Sequence, residues 1–423
     1  MQRILSAELA AHAGETVTIQ GWIHRRRLLK SVAFLVVRDA SGLAQVVITA
    51  PATRAELERL TEETVVEVTG LVAANPAAPG GTEMVEVALR TLSPLAVPTD
   101  FALYRPELSA TLPTQLDQAA ISLRHPRRSA ALRVGAAAVA GFRAALDEER
   151  FVEVHTPKIV ASSTESGANV FGIDYFGRRA FLAQSPQFYK QMMVGVFERV
   201  YEVGPVFRAE PHDTARHLAQ YTSLDAELGF IRDHRDVMAV LTRVLARMVT
   251  TVRERVPSVA DLPGVPDEIP AVAFPEALRI AGAHPDEPDL APAHERALGE
   301  WARDAHGSDF VFVTGYPMAK RPFYTAPDPA APRYSNGFDL LFRGVELVTG
   351  GQRLHAYDDY VAALAARGEP LEPYASYVET FRHGMPPHGG FAIGLERFVS
   401  RLTGAANVRE VTAFPRDLHR LTP

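Results

Sequence analysis

The sequence predicts an α+β protein in two parts: a small all-β barrel, then a larger domain whose mostly antiparallel sheet is flanked by helices. Three observations predict it. Residues 1–95 carry five short, β-branched apolar stretches separated by turn residues. From residue 115 the strand-like segments cluster, without the helix-after-strand alternation of a doubly wound sheet. The chain has 423 residues, enough for two or three domains with full hydrophobic cores.

The amino-terminal stretches are 17–23 (VTIQGWI), 32–38 (VAFLVVR), 43–49 (LAQVVIT), 64–72 (TVVEVTGLV) and 84–90 (MVEVALR), with a helical stretch near 51–61. Five strands with a helix between the third and fourth fit an OB-type barrel; an SH3-like barrel or an open sheet fits the same count. OB barrels often bind oligonucleotides on the face of their early strands. Residues 24–30, HRRRLLK, put four positive charges in seven positions there, a pattern that a solvated turn also shows.

Residues 96–114 carry three prolines and little periodicity, and read as a hinge or linker. Beyond them a helix is expected near 128–149 and a short strand at 151–157, ended by proline. Further strands are expected at 180–182, 199–208, 221–228, 309–315, 333–342 and 344–349, and helices at 186–197, 234–255, 291–305, 358–367 and 394–403. The stretch 256–290, rich in Pro, Ala, Asp and Glu, reads as an insertion or peripheral connection.

Composition narrows the chemistry. With no cysteine there are no disulfides, zinc–thiolate sites, iron–sulfur ligands or thiol nucleophiles. Apolar residues at 47 % and charged residues at 22 % are ordinary for a globular chain. No run of about 18 apolar residues and no secretory core appear, so a cytoplasmic protein without a membrane span is expected. The net charge of −6, 44 basic against 50 acidic residues, disfavours nucleic acid over the surface as a whole and leaves it to local patches.

No GxxxxGK[ST] loop and no strand-borne GxGxxG occur, so nucleotide phosphates would need arginines and a carboxylate-held metal. Three constellations offer such groups. In SPQFYKQM, Gln187 and Lys190 share a helical face, fit for a small zwitterion or simply a solvated helix start. VFRAEPHDTARH sets Arg208, Glu210, Arg216 and His217 on a strand and its following loop, suited to phosphate or to a salt-bridged hairpin. Finally, Glu346 precedes a glycine pair and Arg353, while GMPPHGGFAIGLERF leads from glycines and prolines into a helix bearing Arg397.

Together these stretches closely resemble the class II aminoacyl-tRNA synthetases, and among them the archaeal-type aspartyl-tRNA synthetases. Motif 1 is similar to the helix near 130–149 with FVEVHTPKI, motif 2 to VGPVFRAEPHDTARHLAQYTSLDAEL, and motif 3 to GGFAIGLERFVSRL. The resemblance covers essentially the whole chain. It implies an anticodon-binding OB domain at 1–95, a hinge at 96–114, and at 115–423 a class II catalytic domain on a six-stranded antiparallel sheet.

The resemblance also implies roles. Lys190 and Arg353 would clamp the aspartate side-chain carboxylate, Gln187 and Asp225 its main-chain groups, with Glu165 on a closing loop. Arg208 would touch the ATP α-phosphate and Arg216 and Arg397 the outer phosphates, Arg208 and Arg397 being the catalytic pair. Glu210 and His217 would belong to the ATP loop, Tyr221 would stack on adenine, and Glu346 with Thr349 would hold Mg²⁺. Gln220 stands where an acidic residue is usual. Pro157 would lie at a homodimer interface. In the barrel His24, Arg25, Phe34 and Gln45 would meet the anticodon of tRNA(Asp). His24 in place of the tryptophan of strict relatives, and the short NPAAPGG loop without lysine, resemble members that also charge tRNA(Asn), whose product an amidotransferase converts.

Alternatives share parts of this pattern. An asparaginyl-tRNA synthetase has nearly the same frame but no use for two cations around a neutral amide. An ammonia-type asparagine synthetase shares the catalytic fold but normally lacks the barrel. A non-catalytic tRNA-binding protein would keep the barrel without needing Arg208, Glu346 and Arg397.

Overall fold

The computed structural model describes residues 3–162 and 169–422. The chain divides into two compact units, one running to Gln115 and including Ala120–Arg127, the other comprising Leu116–Ala119 and the chain from Arg128. The stretch expected as a hinge, 96–114, falls within the first unit.

The first unit is built on β1 (Thr16–Leu28), β2 (Ala33–Arg38), β3 (Leu43–Ile48), β4 (Val65–Ala74) and β5 (Thr82–Thr91). They close a barrel in the order β1-β2-β3-β5-β4, with β3 and β5 parallel, which selects the OB arrangement over an open sheet. Alternate residues point inward, so Ile19, Ile23, Leu35, Val37, Val46, Val68 and Met84 form a dry core. The helix Pro51–Arg59 lies between β3 and β4, as expected. Opposite β2 the register slips: Ile23 pairs with Val37, but Arg25 pairs with Val36. His24 is the extra residue of a β-bulge.

The second unit carries β6 (Val152–Glu153), then a small sheet of β7 (Ile159–Val160), β8 (Gly172–Tyr175) and β9 (Arg178–Leu182). Its main sheet adds β10 (Arg199–Phe207), β11 (Gln220–Gly229), β12 (Ala271–Ala273), β13 (Phe310–Thr314), β14 (Gly337–Phe342), β15 (Val345–Gln352) and β16 (His388–Gly394). The order is β12-β13-β14-β15-β16-β11-β10-β6. The six inner strands are the expected antiparallel sheet, and β12 and β6 extend it by a short parallel strand at each edge.

Three expectations change. The stretch 256–290 is no mere insertion, since it contributes edge strand β12 and the helix Phe274–Ile280. Of the expected strand 151–157 only Val152–Glu153 pairs with β10. The glycine-rich segment before Arg397 is the buried central strand β16, against the usual depletion of glycine in strands.

One face of the main sheet is apolar. Leu224, Ala226, Phe338, Leu340, Phe391 and Ile393 pack there against the helices Pro126–Glu148 and His234–Arg255. Pro126–Glu148 is long and apolar enough to cross a membrane by length and composition, yet Val134, Ala138, Phe142 and Leu146 are buried in this core. The opposite face carries the polar residues.

Gly141 sets how closely those two helices approach, because a Cβ there would stand 2.7 Å from Met248 Cα and 2.9 Å from the Arg247 carbonyl, both backbone. Gly141→Val should therefore lower stability by about 2 kcal/mol or more in urea denaturation. A loss below about 0.5 kcal/mol would mean that the helices move apart at no cost.

Candidate active site

Period-two alternation puts Tyr221, Ser223, Asp225 and Glu227 on the polar face of β11. Across the sheet, register aligns Asp225 with Ala392, Ala392 with Thr349, and Thr349 with Asp339. One row of β11, β16, β15 and β14 thus bears two carboxylates and a hydroxyl. The adjacent row pairs Glu227 with Gly390, Gly390 with Gly351, and Gly351 with Gly337. Those glycines clear space: a Cβ at Gly390 would overlap the Glu227 carboxylate.

A cavity of about 540 Å³ opens over the Tyr221 end of this face. Arg208, Glu210, Arg216, His217, Tyr221, Glu346, Thr349 and Arg397 all line it, so the residues expected around ATP and metal come together. Arg208 follows β10, its backbone N–H held by the Ala219 carbonyl at 2.9 Å, and its guanidinium lies 5.8 Å from the Tyr221 ring centre. Arg397, in the first turn of the helix Leu395–Thr403, donates to the Glu346 carbonyl at 2.7 Å. Arg216 is half-exposed and pairs at 3.2 Å with Glu295, a buried carboxylate from the helix Pro292–His306. Burial first, then Arg397 and Arg216, push the His217 ring down to about 4, so it is neutral beside these cations.

Glu346 and Thr349 are three residues apart, a spacing that in a regular strand would put them on opposite faces. The register shift opposite Leu340 and Leu341 corrects this, and both line the cavity. Desolvation inside the cavity, then the neighbouring Asp339 and Glu295 carboxylates, push Glu346 up to about 7, with Arg397 and Arg321 opposing; its side chain keeps 42 % of its surface open to the cavity and solvent, so the crowding of carboxylates is the firmer cause. Asp339 itself is clamped by Arg321 at 3.0 and 3.1 Å. Crowded hard oxygen donors fit Mg²⁺, which takes only one or two carboxylates and completes its shell with phosphate and water. Among the described residues no group of three or more His, Asp or Glu forms a self-sufficient metal site.

Deeper along the same face, Lys190 and Arg353 meet. Lys190, from the helix Gln187–Phe197, donates to Asp225 at 3.1 Å and the Phe391 carbonyl at 3.2 Å, and pairs with Glu227 at 3.3 Å. Arg353 Nε donates to Glu227 at 2.9 Å and Nη2 to the Gly390 carbonyl at 3.0 Å. All four charged groups are buried. Burial opposes the charge on Glu227, but Arg353 and Lys190 outweigh it and hold the carboxyl below its usual range. Gln187 is buried one turn before Gln191 and bonded to it at 2.9 Å. This cluster does not line the cavity; Ser223, which does, joins them by donating to Asp225.

Glu165 lies outside the described residues. Pro157 is exposed between β6 and β7. On the barrel, Arg27 pairs with Phe34, Arg25 with Val36, and Val36 with Gln45, so the bulge turns Arg25 outward beside Phe34 and Gln45. His24 does not join them: it is buried, and Arg38 reaches its Nδ1 at 3.2 Å. Arg38 and Arg124 converge on Glu63 beneath it.

The sequence reading missed Glu227, Asp339 and Glu295. Alternation on β11, from Tyr221 through Ser223 and Asp225, points to Glu227, and Asp339 is the lone charge in the apolar strand GFDLLF. Glu295 sits on an ordinary amphipathic helix and gave no local signal.

Comparison with known proteins adds an independent finding. Residues 111–418 match the family described as tRNA synthetases class II (D, K and N), and residues 17–94 the OB-fold nucleic acid binding domain. The chain is 46 % identical to the aspartate–tRNA(Asp/Asn) ligase of Thermus thermophilus over the full length of both, and 40 % identical to that of Methanopyrus kandleri over 97 % of this chain and 96 % of that one. Among solved structures, the asparaginyl-tRNA synthetase of Pyrococcus horikoshii with asparaginyl-adenylate superposes with a TM-score of 0.90 at 29 % identity, covering both chains fully. The aspartyl-tRNA synthetase of Entamoeba histolytica gives 0.88 at 29 % identity, covering 100 % of this chain and 93 % of that one.

The Glu346 environment sets a pH signature. Its folded pKa of about 7 lies above the unfolded 4.5, so the folded chain holds the proton more tightly. The stabilisation is present below about 4.5 and lost as pH rises through about 7. In metal-free buffer, melts from about pH 5 to about pH 8 should show wild type losing stability relative to Glu346→Gln. Parallel pH curves for the two proteins would contradict this environment.

Proposed function

This chain belongs to the class II tRNA synthetases (D, K and N), and we propose that it activates L-aspartate with ATP to aspartyl-adenylate and transfers the aspartyl group to tRNA(Asp) and also to tRNA(Asn). The observation that carries the reading is continuity. A cavity with Arg208, Arg216 and Arg397 adjoins, along one face of β11, a buried cluster with Lys190 and Arg353. One end suits a triphosphate and the other a small anionic amino acid.

The first step needs no protein nucleophile, because the aspartate α-carboxylate is ionised near pH 7. It attacks the α-phosphorus while Arg208 stabilises the charge that gathers on the phosphate oxygens. Tyr221 stacks on adenine, and Glu210 and His217 shape the ATP loop. Arg397 and Arg216 hold the leaving pyrophosphate, Arg216 by swinging from its pairing with Glu295. When bound at Glu346, with Thr349 and Asp339 beside it, Mg²⁺ supplies further neutralisation of the phosphates. The terminal ribose hydroxyl of the tRNA then attacks the aspartyl carbonyl, a phosphate oxygen of the adenylate takes its proton, and the acyl–phosphate bond breaks to release AMP.

Selection of aspartate over asparagine has a sharper basis than two unpaired cations. Lys190 spends its donors on Asp225, Glu227 and Phe391, whereas Arg353 reaches Glu227 and the Gly390 carbonyl through Nε and Nη2, and among the described residues its Nη1 edge donates to none. A carboxylate accepts from that edge; an asparagine amide turned toward it sets donor against donor. The higher identity to Asp/Asn ligases than to the asparaginyl enzymes supports the same choice.

Arg25, Phe34 and Gln45 meet the anticodon, by phosphate contact, stacking and edge recognition respectively. His24, buried in the bulge, acts by holding that row. The working form is a cytoplasmic homodimer with Pro157 at the interface. An amidotransferase completes the product on tRNA(Asn).

Lys190→Met removes the ammonium that balances Asp225 and Glu227, and should cost roughly 3 kcal/mol in kcat/KM for aspartate in ATP–pyrophosphate exchange, with ATP affinity retained. A loss under about 1 kcal/mol would remove Lys190 from the aspartate site. Purified transcripts of both tRNAs test the second half: tRNA(Asn) should be charged within about tenfold of tRNA(Asp), and undetectable asparagine-tRNA product would mark a strict enzyme.

A further inference from the structure

One turn beyond Gln187 stands a glutamine that the reaction above does not use. Gln191 is fully buried, and its amide is saturated with partners. Its Nε2 lies 2.9 Å from the Tyr360 hydroxyl and 2.9 Å from His388 Nε2. Its Oε1 lies 2.8 Å from the Tyr377 hydroxyl and 2.9 Å from Gln187 Nε2.

Both ends are fixed from outside. His388 Nδ1 is 2.9 Å from the Pro386 carbonyl, which only accepts, so Nδ1 carries the ring proton. His388 is completely buried, and burial first pushes it down to about 4, so the ring is neutral and Nε2 accepts. The Tyr360 hydroxyl donates to the Leu354 carbonyl at 2.8 Å, so its oxygen is left to accept. Two acceptors of separate origin therefore face one Gln191 atom, which has to be the nitrogen. Its oxygen then faces Gln187, and Gln187 has to donate through Nε2.

We infer that Gln191, held by His388 and Tyr360, locks the Gln187 amide so that its Oε1 faces the bound amino acid as the acceptor for the α-ammonium group. This rests on the reading that Gln187 touches the amino acid. Gln191, His388 and Tyr360 touch no reacting atom; they are positioning residues. A flipped Gln187 would aim N–H donors at the ammonium and lose a charge-assisted hydrogen bond.

Amine recognition can be read apart from general damage by comparing L-aspartate with succinate, which is aspartate without its amine. In ATP–pyrophosphate exchange, Gln187→Met should raise the aspartate KM roughly tenfold or more and leave the succinate inhibition constant within about twofold. Gln191→Met should show the same split, with the KM for ATP unchanged, and the double variant should be no worse than Gln187→Met alone. If Gln187→Met leaves the aspartate KM unchanged, the underlying contact is wrong. If Gln187→Met raises it but Gln191→Met does not, the lock is wrong. Equal weakening of both ligands by Gln191→Met, or an additive double variant, also overturns it.

Discussion

The four buried charges Lys190, Arg353, Asp225 and Glu227 are the constraint on which the second unit depends. Burying one such ion alone is costly, and a pair offsets that cost only with good geometry and with the remaining hydrogen-bonding capacity satisfied. Here the compensation is threaded through the fold: Lys190 comes from a helix, Asp225 and Glu227 from β11, Arg353 from just beyond β15, and the carbonyls of Phe391 and Gly390 from β16. The cluster is neutral in sum and pre-formed. A ligand entering it meets donors already aimed, and preorganisation of this kind lowers the reorganisation needed when charge develops.

The two ends of the polar face differ in charge logic. Around Lys190 and Arg353 the charges cancel in pairs. Around Glu346 carboxylates crowd together, so that burial and neighbouring negative charge raise its affinity for a proton or a cation. Facing them, Arg208, Arg216 and Arg397 line the cavity wall, and their field helps keep His217 neutral. A site divided in this way suits a polyanion whose charge is shared between metal and arginines.

Backbone irregularities do much of the placing. A bulge at His24 brings Arg25 to the outer barrel face with Phe34 and Gln45, while a second shift in β15 brings Glu346 and Thr349 to one cavity. Gly390, in the row with Gly351 and Gly337, leaves the volume that the Glu227 carboxylate occupies. The two register shifts override the regular two-residue alternation at these places.

Local pattern in the sequence was enough to determine the barrel strands, the helices near 234–255 and 187–197, and the identity of the arginines, because periodicity and residue chemistry are short-range properties. The resemblance across three motifs supplied the rest of the expected site, including the six-stranded sheet. Tertiary structure alone decided that β16 is a central strand, since its glycines disfavour a strand locally and are required by residues of other elements, Glu227 and the Ala226 carbonyl at Gly390 and the Gly351 carbonyl at Gly389. It alone decided that His24 turns inward, that 271–273 forms an edge strand, and that Glu227, Asp339 and Glu295 belong beside residues distant in the chain. Register, bulges and buried charge pairing join segments far apart along the chain, and no local window of residues contains them.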